Sequence, residues 1–78
     1  MKELVKYLKS HGWSTYNDFE YRHSIKGNRY LMVKIDRDNS LAELRHFHNN
    51  REEINDYNLG FVESHLILDI LKNYPDYI

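Results

Sequence analysis

Phe19-Glu20-Tyr21-Arg22-His23-Ser24-Ile25, then Lys26-Gly27-Asn28-Arg29, then Tyr30-Leu31-Met32-Val33-Lys34-Ile35 is the stretch that decides the fold. Two runs of period 2 flank a Gly-Asn pair. Side chains alternate faces along a strand, and Gly and Asn tolerate the positive φ of a tight turn, so a β-hairpin is expected. Whether the loop is 26–28 or 27–29, odd-numbered residues stay on one side. Phe19, Tyr21, His23 and Ile25 then join Leu31, Val33 and Ile35 as the expected core face. Glu20, Arg22, Ser24, Tyr30, Met32 and Lys34 fall on the other.

C-terminal to the hairpin, Asp36-Arg37-Asp38-Asn39-Ser40 is a second turn signal. Residues 41–48 then fit two patterns. Ser40 with Glu43 makes a capping box, and Leu41, Leu44 and Phe47 are spaced by three, which makes 40–57 a candidate helical region. A turn at Asp38-Asn39 would instead pair Ile35 with Ala42, Val33 with Leu44 and Leu31 with His46. The strand is preferred, because an isolated hairpin is marginal in water and a third strand completes the sheet.

On the N-terminal side, Leu4, Val5 and Leu8 recur at helical spacing opposite Lys2, Lys6 and Lys9, predicting a helix over 3–11. Gly12 is placed as its C′ residue, and Trp13 as an aromatic packing back on the core edge. Residues 14–18 read as an irregular lead-in or the twisted start of the first strand. At the other end, 49–53 are expected to open a helical region. Its stripe of Ile54, Tyr57, Phe61, Leu68 and Leu71 is widened by Val62, Ile67 and Ile70. Gly60 would break it, leaving a longer helix over 61–74 that Pro75 ends, with Asp76-Tyr77-Ile78 as a tail. The expected fold is a single α+β domain. It has an N-terminal helix, an antiparallel hairpin or three-stranded meander, and a C-terminal helix packed on the Phe19, Tyr21, Val33 and Ile35 face. The alternative order is α-β-β-α-α.

Composition narrows the chemistry. With 78 residues, 41% hydrophobic and 29% charged, the chain belongs with small globular domains. No run spans a bilayer and no signal-peptide pattern is present, so the cytoplasm of a bacterial or phage-infected cell is expected. The wealth of Asn, Lys, Ile, Tyr and Asp resembles coding by an AT-rich genome such as a low-GC bacterium or its phages. Absence of cysteine excludes disulfides and thiolate chemistry. Charge is segregated: residues 1–37 carry eight Lys/Arg against four acids (+4), and residues 38–78 three against eight (−5).

Five histidines, His11, His23, His46, His48 and His65, are the titratable candidates near neutral pH. On a strand His46 and His48 share a face as an H-x-H pair able to supply two metal ligands, with Glu43, Glu52, Glu53 and His65 as further donors; a helix would part them by about 200°. A histidine-rich surface turn explains them without a metal, and no cofactor is expected. Basic residues and an aromatic on the hairpin, Arg22, Lys26, Arg29, Tyr30 and Lys34, form a thin nucleic-acid footprint in a net-negative chain.

The order helix, Gly12-Trp13, then a strand bearing His23 resembles the HicA toxins, small ribonucleases on a double-stranded-RNA-binding-like fold. That resemblance implies one helix, three strands and one helix, with His23 as general acid or base in RNA cleavage. Tyr21-Arg22 stands where the family has Gly-Ser before its histidine.

No phosphate-cradling loop, serine triad, metalloprotease motif or calcium loop is present. The leading expectation is therefore a non-enzymatic protein-interaction module, a regulator or inhibitor of phage or mobile-element origin. Its expected contacts are Arg22, Tyr30, Met32 and Lys34 on the hairpin and an acidic patch of Glu52, Glu53 and Asp56. Such a patch could present carboxylates where a target expects phosphates. The expected partner is a protein, with a second copy of the chain as a further candidate through Tyr30 and Met32. Nucleic acid is less favoured, and no membrane is involved.

Overall fold

A computed structural model of the chain describes residues 1–53 and 58–73. Alternation over the decisive stretch becomes two strands, β2 (Glu20–Ile25) and β3 (Arg29–Asp36), antiparallel with Tyr21 opposite Val33 and His23 opposite Leu31. Ile25 pairs with Arg29, so the loop is 26–28, and Gly27 and Asn28 both take positive φ (75° and 58°). Residues 41–48 are strand β4 (Leu41–His48), with Ile35 opposite Ala42, Val33 opposite Leu44 and Leu31 opposite His46. The helical alternative for 40–57 is thereby overturned for 41–53. The side chain and backbone N–H of Asn39 donate to the Asp36 carboxylate, locking the turn that sets this register.

Before the hairpin, α1 (Lys2–Ser10) ends as its sequence signal requires. Gly12, at φ 78°, donates its N–H to the Lys9 carbonyl (3.3 Å), and Trp13 donates to that of Leu8 (3.1 Å). This paired closure is a Schellman cap, and it turns the Trp13 ring into the core, where it is buried. Residues Ser14–Thr15 form a short strand, β1, against Arg22 and Tyr21.

Phe19 departs from expectation: it lies outside β2 and is 54% exposed. The cause is local. Asn17 Oδ1 accepts the N–H groups of both Phe19 and Glu20, and Asp18 sits at φ 63°, so strand alternation starts only after Phe19.

Beyond β4 the expected helix over 49–53 is also corrected. Asn49 and Asn50 both adopt positive φ (52° and 65°), and His48 pairs with Arg51 across them. Two left-handed residues between paired strands close a tight hairpin, and the chain returns as β5 (Arg51–Glu53). A further strand, β6 (Leu59–Glu63), pairs with the first half of β4 through a bulge between Ala42 and Leu44. Strands β5 and β6 thus share one edge of β4, in the order β1-β2-β3-β4-β5 with β6 beside β4. The C-terminal helix, α2 (Ser64–Asn73), starts three residues later than the 61–74 reading, because 61–63 are drawn into the sheet by the open edge of β4. Ile54, Tyr57, and the ending of the helix at Pro75 with its tail lie outside the described residues.

Both helices pack on one sheet face. Leu4 and Leu8 of α1 and Ile67, Leu68 and Leu71 of α2 join Trp13, Tyr21, Leu31, Val33, Ile35, Ala42 and Leu44 in one buried cluster. The Tyr7 hydroxyl donates to the Leu71 carbonyl (3.2 Å), tying the helices together.

Candidate functional site

The alternation that sends Tyr21, Val33 and Leu44 to the helices sends Arg22, Tyr30, Met32 and Lys34 to the opposite face. They are joined there by Leu41, Glu43, Arg45 and Phe47 of β4 and by Glu52 of β5. Among the described residues no helix covers this face. Four of the seven residues singled out from the sequence for binding are therefore neighbours. Of the acidic trio, Glu52 lies on this face, whereas Glu53 stands opposite His46 on the helix side and pairs with Arg29 at 3.5 Å. Adjacent strand residues must point apart, so Glu52 and Glu53 are not one patch. Asp56 lies outside the described residues.

The centre of the face is a ladder of stacked groups. Tyr30 and Phe47 are opposite in register, and their rings stack at 4.8 Å with planes 4° apart. Arg22 is diagonal to Tyr30 across β2 and β3, and its guanidinium lies 5.4 Å from the ring centroid. The aromatic pair adds about 0.5–1.5 kcal/mol beyond area burial and the exposed cation–π contact about 0.5–1 kcal/mol. Met32 sits between Arg22 and Arg45 in the ladder and is only 6% exposed. Glu43 is buried and held by Arg45 Nε at 3.3 Å, while Arg45 Nη1 reaches Glu52 at 3.6 Å.

Chemically, this arrangement suits contact. One face of the Tyr30 ring is given to Phe47 and Arg22 lies over the ring, so the stacking surface of Tyr30 is already used within the chain. Arg22, Lys34 and Arg45 are outnumbered by Glu20, Asp36, Glu43, Glu52 and Glu63, so a polyanion meets more repulsion than attraction. Lys26 and Arg29 lie at the hairpin tip, exposed.

The histidines lie on the other side of the sheet. His23 is half-buried and stacks on Trp13 at 5.1 Å; among the described residues no acid or base partner engages it. His46 and His48 do share a face, as the H-x-H reading required. Among the described residues, no group of three His, Asp or Glu is arranged to hold a metal ion. His46 serves instead as an anchor. Asn58 Nδ2 donates to the Glu53 carbonyl (2.9 Å), which turns its Oδ1 to His46, so His46 Nδ1–H is the donor. This bond ties β5 to the start of β6.

Burial holds the His46 imidazole below its ordinary value of 6.5, the Asn58 bond and the Glu53 carboxylate opposing in part. The folded state therefore prefers the neutral ring. As pH falls through about 6.5 the unfolded chain takes up a proton that the folded chain refuses, so stability declines until the folded-state value is reached and then levels. The expected slope is at most about 1.4 kcal/mol per pH unit. Urea midpoints between neutral pH and about pH 5 measure it, and His46→Gln should flatten that profile. Equal slopes for parent and variant would contradict the assignment.

In the sequence Glu43 reads as a capping or metal-donor residue and Phe47 as part of a helical spacing, and neither of them, nor Arg45, is assigned to binding. The register that sets Val33 opposite Leu44 already places Tyr30 opposite Phe47, so the signal was present in the strand pattern. No described helix is long and apolar enough to cross a membrane. No family model, curated protein or solved structure matches the chain.

Proposed function

We propose that the protein acts by binding another protein through the helix-free face of its sheet. The carrying observation is the Arg22–Tyr30–Phe47 ladder on a face that no described helix covers, ringed by charges of both signs. Stacked aromatics and arginine are the groups that dominate binding energy at protein interfaces, and a mixed-sign rim supplies orientation and selectivity. A chain of 78 residues that commits one sheet face to contact suits a regulator or inhibitor working by occupancy rather than by bond chemistry. A phosphate-mimicking version loses its basis, since Glu52 and Glu53 point apart. RNA cleavage by His23 gains none from a ring packed on Trp13.

Capture from host extract by immobilised parent, with Phe47→Asp and the helix-side control Lys6→Ala, tests this. A saturable protein partner should bind parent and control alike and bind Phe47→Asp roughly thirtyfold more weakly, the loss of one interface hot spot. Circular dichroism verifies that the variant is folded. Recovery of nucleic acid with steep salt dependence, or protein capture indifferent to Phe47→Asp, overturns the proposal.

A further inference from the structure

We infer that a second copy of this chain docks on the helix-free face, the two sheets packing face to face about a two-fold axis that runs between β3 and β4. This rests on the interaction-face proposal and names its occupant. The warrant is self-complementarity. An axis parallel to the strands lays β3 of one copy over β4 of the other and preserves position along the strand. Tyr30 then meets Phe47 of the second copy, Met32 meets Arg45, and Lys34 meets Glu43. By symmetry each contact occurs twice.

Each of these meetings joins suitable groups. Tyr30 and Phe47 present ring edges above the stack they already form, and four such rings interleave at the centre. The aliphatic stem of Arg45 covers the Met32 thioether. Lys34 is half-buried and has no ion-pair partner within its own chain among the described residues, although Glu43 is its cross-strand neighbour. The Glu43 carboxylate is held by Arg45 in the same chain, and an ammonium from the second copy extends that pair into a network. The face carries three cations, Arg22, Lys34 and Arg45, against five carboxylates, Glu20, Asp36, Glu43, Glu52 and Glu63, so a residual negative charge on each copy is left for salt to screen.

Size agrees with this occupant. Four strand columns at about 4.8 Å and eight residues at about 3.3 Å span roughly 19 by 26 Å in projection. Side-chain relief raises that toward the ~800 Å² per partner of a standard interface. Aligned packing within about 30° is the ordinary geometry of two sheets meeting face to face.

Sedimentation equilibrium of the purified chain provides the test, with circular dichroism on each variant. The parent should dimerise with a dissociation constant in the micromolar range. Phe47→Asp should be monomeric, and Arg22→Ala, a milder change on the same ladder, should weaken the dimer by about tenfold while remaining folded. Lys34→Glu should weaken it comparably at low salt and recover in part at high salt, where like charges are screened. Lys6→Ala should leave it unchanged. A parent that stays monomeric to about 1 mM, or a dimer indifferent to both Phe47→Asp and Arg22→Ala, overturns the inference. A monomeric parent whose capture of a host protein still requires Phe47 overturns self-docking alone and leaves the interaction face standing.

Discussion

Leu44→Ala is expected to abolish the cooperative unfolding transition. Leu44 is fully buried in β4, the strand that meets β3 on one edge and both β5 and β6 on the other. Its side chain lies in the cluster formed with α1 and α2, where it faces Val33 in register. Truncating a buried leucine costs about 2–5 kcal/mol, through lost transfer energy and the cavity left behind. A single core in a domain this small supplies roughly 3–5 kcal/mol in all. The variant should therefore show a broad, low-amplitude urea profile by circular dichroism. A sharp transition close to the parent's would mean that β4 is not the centre of the core.

Trp13→Ala should be nearly as damaging, at about 3–5 kcal/mol for a buried large aromatic. The ring is 6% exposed, packs in the core cluster and stacks on His23 at 5.1 Å. Its backbone N–H also closes α1 on the Leu8 carbonyl, a bond that survives the substitution, so the loss isolates side-chain burial. Phe19→Ala is the informative comparison. At 54% exposure and outside β2, Phe19 should change stability by no more than about 0.5 kcal/mol. Matched urea titrations of the two variants decide the point, and a larger loss at Phe19 than at Trp13 would reverse their placement.

The contrast between these two aromatics shows how far the chain could be read without coordinates. Trp13 follows Gly12 at the end of a helix, and the cap geometry that pairing demands fixes where the ring goes, so its burial was legible. Phe19 carries the same period-2 signal as Tyr21 and His23. What excludes it is Asn17 capturing two backbone N–H groups while Asp18 turns left-handed, a local competition that alternation alone does not register. At 49–53 the acids look like a helix first turn, but two adjacent asparagines adopting positive φ close a hairpin instead. Asn49-Asn50 was the available sign. Residues 59–63 carry little strand pattern of their own, with Gly60 in the middle and Phe61 half exposed.

The candidate face was partly legible for the same reason. Arg22, Tyr30, Met32 and Lys34 follow from alternation and turn length within the hairpin, and the pairing with β4 follows from keeping apolar residues on one side. That both helices choose the same side, leaving the Tyr30–Phe47 stack uncovered, does not follow from any local pattern.

By itself, then, the order of residues determined the hairpin, its inward side, the β3–β4 register and the capped first helix, because each depends on contacts a few residues apart or on a period the backbone imposes. Only the tertiary structure decided that 59–63 would become a strand and that one sheet face would go without a helix. The physical reason is that β4 presents backbone N–H and C=O groups along its free edge. Satisfying them outweighs the weak preferences of the segments recruited to do so.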